Sequence, residues 1–239
     1  TGFKSFYCND CTDKLDYYTS EWKKLGFQPD GIYTGFLSSE KQVDKILDFI
    51  NSFETENTLV LVDPVMGDGG RTYSLFTDAL ACKMKKLVTV ADVITPNLTE
   101  CCILCDVDYC EFIKNADKPD FMDKVAELGK SLLKRYGVKI VIITGIEHKS
   151  ADGTVNVQNL IASEEEIFTV SCKKIGGSYS GTGDLFASVM FSGLLRGDTL
   201  RDTVSLAVKF IETSLRDTVA LGIDRNEGIE FEKHLKILL

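Results

Sequence analysis

The sequence predicts an α/β protein, a three-layer α/β/α sandwich around a mainly parallel central sheet. Three observations carry this prediction. Short apolar runs alternate with amphipathic segments along the chain, the pattern of repeated strand–helix units. Two of the runs, LVLV (59–62) and IVII (140–143), are apolar at every position, as strands covered on both faces are. Polar or glycine-rich sequence follows several strands, and open parallel sheets bind ligands at the carboxyl ends of their strands.

The elements follow in order. GIYTGFL (31–37) reads as a strand, and Glu40–Phe53 has the spacing of an amphipathic helix. TLVLVD (58–63) is the first fully buried strand, with a helix near Ser74–Lys86 behind it. ADVIT (91–95) is a short strand, followed by a helix from about Asn97. Asp120–Tyr136 is helical in period, and KIVIIT (139–144) is the second buried strand. TVNVQNLIA (154–162) and EEIFTVSCKK (165–174) alternate as an antiparallel pair does, and the chain from about Gly183 reads as helices. The 239 residues contain four prolines and no low-complexity linker or repeat, so residues 1–239 read as a single domain.

Composition narrows the function. At 44% apolar and 26% charged residues, the chain can bury a sizeable core. Twenty-seven basic against 36 acidic residues leave a net charge of −9. That balance argues against nucleic-acid binding and against an anionic membrane surface. Any phosphate must be held at a local site. No run approaches the roughly 18 apolar residues of a membrane span, and no signal-peptide core opens the sequence. Eight cysteines are too sparse for a disulfide scaffold, and a reducing cytoplasmic compartment is expected. Cys8-x-x-Cys11 and Cys102-x-x-Cys105 lie about 90 residues apart, against ~15–20 for a metal finger. They read as packing or incidental thiols. His148, His234 and Trp22 read as ordinary loop, surface or packing residues.

Four constellations carry chemistry. Gly181-Thr182-Gly183-Asp184 opens an apolar helical segment. Glycines let backbone N–H groups approach an anion, and a helix start directs unpaired donors at it. Asp184 could accept a proton from a substrate hydroxyl, or simply favour a first turn. Asp63-Pro-Val-Met-Gly-Asp68-Gly-Gly suits a hard cation beside a strand end, or is a glycine-rich turn. Asn97 and Glu100, three apart, could hold hydrated Mg²⁺, or form a helix cap. Thr144-Gly145, after the strand KIVII, could donate to a phosphate. Neither a Walker A loop nor G-x-G-x-x-G is present.

Taken together and in this order, DPVMGD, ITPN-x-x-E, VIITG and GTGDLFAS resemble the ribokinase-like superfamily of small-molecule kinases, and within it the pyridoxal kinase family. TGFKSF (1–6) and YTGF (33–36) resemble that family's substrate-side segments. The resemblance spans nearly the whole chain. It implies ATP-dependent phosphorylation of the 5′-hydroxymethyl group of pyridoxal, with Mg²⁺ and in some members a monovalent cation such as K⁺.

The resemblance also implies roles. Asp184 is the base, and the N–H groups of Gly181, Thr182 and Gly183 are the anion hole. Asn97 and Glu100 organise Mg²⁺ through water. Asp63 and Asp68 lie by the phosphates and cations, with Asp63 also a candidate metal residue. Thr144 contacts nucleotide phosphate, and Thr1 and Phe36 hold the pyridine ring, beside Asp184. A homodimer is implied as well. Two alternatives stand: a hydroxymethylpyrimidine kinase, and a non-catalytic vitamer-binding relative. The former subfamily tends to carry Cys where this sequence has Asp184, which favours pyridoxal. The family opens with a strand and helix of roughly 40–50 residues that would precede Thr1. That strand supplies substrate contacts, and further leading residues are expected.

Overall fold

A computed structural model of the chain describes residues 3–149 and 153–239. Its elements, in order, are a 3-10 turn Thr12–Lys14, helix α1 (Leu15–Lys24), strand β1 (Gly31–Thr34), α2 (Glu40–Phe53), β2 (Leu59–Val62), β3 (Gly67–Asp68) and β4 (Arg71–Thr72). There follow α3 (Asp78–Val88), β5 (Val93–Ile94), α4 (Leu98–Cys105), α5 (Tyr109–Ile113), α6 (Phe121–Tyr136), β6 (Ile140–Lys149), β7 (Val155–Ser163) and β8 (Ile167–Lys173). Helices α7 (Thr182–Arg196) and α8 (Leu200–Leu221) and the 3-10 segments Arg225–Glu227 and Glu232–Leu238 complete the chain.

Six strands form one sheet in the order β1-β2-β5-β6-β7-β8. The first four are parallel, while β6–β7 and β7–β8 are antiparallel. The predicted class is therefore the observed one. Among the described residues β1 pairs only with β2 and stands at the end of the sheet order.

The apolar runs are explained by the two layers of helix. Val60, Val62, Ile94, Val141 and Ile143 face one core, with α2, α3, α4 and α6. Their neighbours Leu61, Val93 and Ile142 face the other, with α7 and α8. Successive side chains of a strand point to opposite faces, so a strand with both faces covered has no polar position to spare.

Several boundaries differ from the sequence reading. β1 stops at Thr34, not residue 37, because the chain turns out of the sheet toward α2. Helix α3 begins at Asp78, not near Ser74, because Thr77 caps it, accepting from the Leu80 N–H. β6 runs on to Lys149 because its upper half pairs with β7 after an irregularity between Ile143 and Ile146. The hairpin β3–β4 and the five-residue helix α5 carry too little periodicity to be read from the sequence, and α1 is a helix the sequence reading did not include. Helix α1 buries none of its own residues. Trp22 is nonetheless a packing residue, its ring edge-on to Phe27 and Phe49 with centroids 5.1 and 5.6 Å away. Of the two C-x-x-C pairs, Cys102 is buried in the core and Cys105 half-buried, which is packing, while Cys11 is half-buried and Cys8 exposed, an incidental thiol.

The layer behind the sheet depends on one close approach. A Cβ on Gly193 of α7 would lie 2.5 Å from Thr203 Cγ2 on α8, and Thr203 is itself buried. Gly193→Val is expected to destabilise the fold by about 2–3 kcal/mol, as overpacking does, lowering the thermal midpoint in a calorimetric scan.

Candidate active site

The carboxyl ends of β1, β2 and β5 lie side by side, and each ends in an oxygen-bearing residue. Thr34 closes β1, Asp63 follows β2 and Thr95 follows β5. The backbone ties them in a row: the Asp63 N–H donates to Thr34 O at 2.9 Å. All three side chains are buried. Among the described residues the hydroxyl of Thr34 has no hydrogen-bond partner, an uncommon state for a buried polar atom, and the hydroxyl of Thr95 faces only the carboxyl of Asp63, whose charged form it favours.

Helix α7 closes over this row from the sheet's second face. Gly181, at φ 80°, is its N-cap and makes no side-chain cap. A non-glycine residue would be strained in this left-handed conformation. Thr182, Gly183 and Asp184 form the first turn, whose N–H groups have no partner within the helix. A Cβ on Gly181 or Gly183 would meet nothing within 4 Å. Gly181 and Gly183 are themselves exposed, so the start of the helix is open, and the helix adds roughly half a positive charge there. The Thr182 hydroxyl is turned away, donating to Tyr179 O at 2.9 Å. Asp184 is exposed at this mouth. Beside it lies a cavity of about 370 Å³, lined by Gly181, Asp184, Ile223, Glu227, Ile229 and Phe231 among others.

Asn97 and Glu100 form a full capping box at the start of α4. Asn97 Oδ1 accepts from the Glu100 N–H at 3.0 Å, and Glu100 Oε2 accepts from the Asn97 N–H at 2.8 Å. The box reaches further than a cap needs. Glu100 Oε1 also accepts from the Met66 N–H at 3.0 Å, and Asn97 Nδ2 donates to Gly67 O at 2.7 Å. The capping alternative is thus realised, and the same two side chains hold the loop after β2 in place. That loop needs a glycine at 67, where a Cβ would collide with the Arg71 carbonyl. Gly67→Ala is expected to open the hairpin and to lower activity at least tenfold, with global unfolding by urea little changed.

Asp68 lies exposed on the hairpin, its Oδ1 accepting from the Gly69 N–H at 2.8 Å. It is not beside Asp63 in the buried row. Thr144 sits where the parallel part of β6 ends, bridged to Asn97. Phe36 is 54% exposed on the loop after β1. Thr1 lies outside the described residues. The structure adds Tyr73, and it brings forward Tyr33 from within the YTGF segment, to which the sequence reading assigned no role of its own. Each senses Asp63 and Asp184, and an aromatic residue at a strand end or in a turn gives no warning of that.

The electrostatics are those of crowded carboxylates. Burial, then the charge of Asp184, pushes Asp63 up to about 7. Burial, then Asp63, pushes Glu100 up to about 8. Such groups invite a cation. Among the described residues no three His, Cys, Asp or Glu side chains cluster tightly enough to hold a metal alone. A divalent ion would need water and ligand oxygens to complete its shell, which is how Mg²⁺ is commonly held. The buried hydroxyl of Thr34, unpartnered among the described residues on the neighbouring strand end, fits the same demand for a hard cation.

A mostly parallel sheet, helices on both faces, and a glycine-led helix start carrying an aspartate above the strand ends define the ribokinase-like class. The family model for phosphomethylpyrimidine kinase matches residues 23–228, and the chain belongs to that family. A crystal structure of a candidate phosphomethylpyrimidine kinase from Bacteroides thetaiotaomicron superposes with a TM-score of 0.90 at 36% identity, covering 100% of this chain and 79% of that one. A second crystal form of that kinase, with pyridoxal, gives a TM-score of 0.88 at 36% identity over 99% of this chain and 80% of that one. A candidate pyridoxal kinase of Schizosaccharomyces pombe is 28% identical over 171 residues, which is 70% of this chain and 47% of the relative. The hydroxymethylpyrimidine/phosphomethylpyrimidine kinase of Haemophilus influenzae is 26% identical over 200 residues, 83% of this chain and 70% of the relative. The chain therefore spans about half of one curated relative and under three quarters of the other.

Proposed function

We propose that the protein transfers the terminal phosphoryl group of ATP to the 5′-hydroxymethyl group of pyridoxal or a related B6 vitamer. The observation that carries this reading is Asp184 in the first turn of α7, with open N–H donors beside it. It has support from the 36% identical relative that was crystallised with pyridoxal.

The residues have distinct tasks in this reading. Asp184 accepts the proton as the alcohol oxygen forms its bond to phosphorus and the bond to the departing nucleoside diphosphate breaks. The N–H groups of Gly181, Thr182 and Gly183 receive charge on the transferring phosphoryl oxygens, where preorganised donors act best. Thr144, at the irregularity in β6, and Asp68, on the β3–β4 hairpin, are assigned to the phosphates in this reading, and Phe36 offers an exposed ring for the heteroaromatic substrate. Asp63, Asn97 and Glu100 are the residues that would hold Mg²⁺, directly or through water. When bound, the ion would neutralise phosphate charge. A monovalent cation such as K⁺ would suit the remaining carboxylate charge.

A hydroxymethylpyrimidine kinase is the second reading, favoured by the family model itself. The full-length protein should release ADP when given ATP, Mg²⁺ and pyridoxal, with kcat/KM higher on pyridoxal than on hydroxymethylpyrimidine. The reverse order would establish the second reading. Pyridoxal binding without turnover would establish a non-catalytic relative. The reading also includes a homodimer, to be measured by equilibrium analytical ultracentrifugation, and a reducing cytoplasm, with which eight free cysteines are compatible. No helix among the described residues is long and apolar enough to cross a membrane.

A further inference from the structure

Tyr33 occupies a place in the site that no role yet explains. It is the third residue of β1 and points to the α7 side of the sheet, packed against that core. Its ring lies 6.1 Å from the ring of Phe191 on α7. Gly31, two residues earlier, makes the approach of α7 possible, because a Cβ there would lie 2.5 Å from Phe191 Cζ. The ring of Tyr33 thus sits between β1 and the helix that carries Asp184.

The hydroxyl reaches past that contact to the mouth of the site. Tyr33 Oη and Asp184 Oδ1 lie 3.4 and 3.9 Å from a single point, the Cβ position of Gly35. Tyr33 Oη makes no hydrogen bond to any described residue. A phenol that is only packing has no need to leave an unused donor in the same corner of the site as a carboxylate. Burial, then Asp63 and Asp184, push this phenol's ionisation upward, so it remains a donor at all working pH values. Both carboxylates beside it are acceptors when ionised.

We propose that Tyr33 is a positioning residue for Asp184. Its O–H donates to Asp184 Oδ1 once substrates fill the site, which leaves Oδ2 free to take the alcohol proton. This inference rests on the proposed kinase reading, since it assigns Asp184 as the base. It extends that reading by placing the orienting group on β1 and not on α7 itself.

The test is a double-mutant cycle on the full-length protein, using ATP, Mg²⁺ and pyridoxal. Tyr33→Phe keeps the ring and its packing. It is expected to lower kcat roughly tenfold, the scale of one hydrogen bond to a charged group, with both KM values and the thermal midpoint unchanged. In an Asp184→Asn background the same change should have little further effect, because residues acting through one another are not additive. Wild-type kcat in Tyr33→Phe would overturn the inference alone. So would an equal tenfold loss in the Asp184→Asn background, or a loss confined to KM. A wild-type protein with no transfer to any hydroxymethyl heterocycle would overturn the kinase reading and this inference with it.

Discussion

Asp184→Ala is expected to reduce kcat by about 10²–10⁴-fold, the usual contribution of a general base. KM for ATP should change little, because the phosphate-facing N–H donors of α7 are backbone groups and survive the substitution. Asp184→Asn should behave similarly, since an amide keeps the shape of the carboxylate and loses its basicity. The fold should be unaffected. Asp184 is exposed, its side chain makes no hydrogen bond within the described residues, and no helix cap depends on it. The measurement is steady-state ADP release with pyridoxal as acceptor. Full turnover in either variant would remove Asp184 from the base role and leave the first turn of α7 as an anion site only.

Asp63→Asn is expected to raise stability and abolish most activity. Asp63 and Glu100 are held near 7 and 8 in the fold, against ordinary values near 4 for carboxyl groups. The folded protein therefore binds protons that the unfolded chain has released. Stability must then fall as pH rises from about 4 to about 8, and level off above that. Removing the Asp63 charge relieves repulsion with Glu100 and Asp184. At pH 8 without divalent cation the variant should gain about 1–3 kcal/mol in urea unfolding, and the gain should vanish near pH 4. Added Mg²⁺ should narrow the gap by stabilising the wild type alone. Transfer should fall about a hundredfold, the scale of lost electrostatic stabilisation. A wild-type stability that is flat between pH 4 and 8 would contradict the crowded-carboxylate account.

Much of this architecture was legible from periodicity alone. LVLV and IVII declared their two covered faces, and the alternation of 154–174 declared the antiparallel extension. The start of α3 was misread because Ser74–Phe76 continue an apolar trend while the capping Thr77 decides the boundary. The hairpin at 67–72 was invisible because two-residue strands have no period. For the site, order along the chain was more informative than any single motif. Asn97 and Glu100 show the limit of spacing arguments. Three residues apart is right for a cap and for a shared cation, and only the contacts to Met66 N and Gly67 O reveal a further task. Tyr33 was given no role of its own because nothing in the sequence says which strand end faces Asp184.

The extended capping box at α4 has a kinetic consequence. Two of its four hydrogen bonds close the box itself, and the other two join the start of a short helix to the loop after β2, where the Gly70 N–H also donates to Thr99 Oγ1 of the same helix. Fraying of one eight-residue helix would therefore disassemble the loop after β2 at the same moment. Local opening of this kind needs less free energy than global unfolding. On warming, amide protons of α4 and of residues 66–67 should exchange with solvent together, and catalytic power should fade at a temperature where the rest of the sheet is still fully protected.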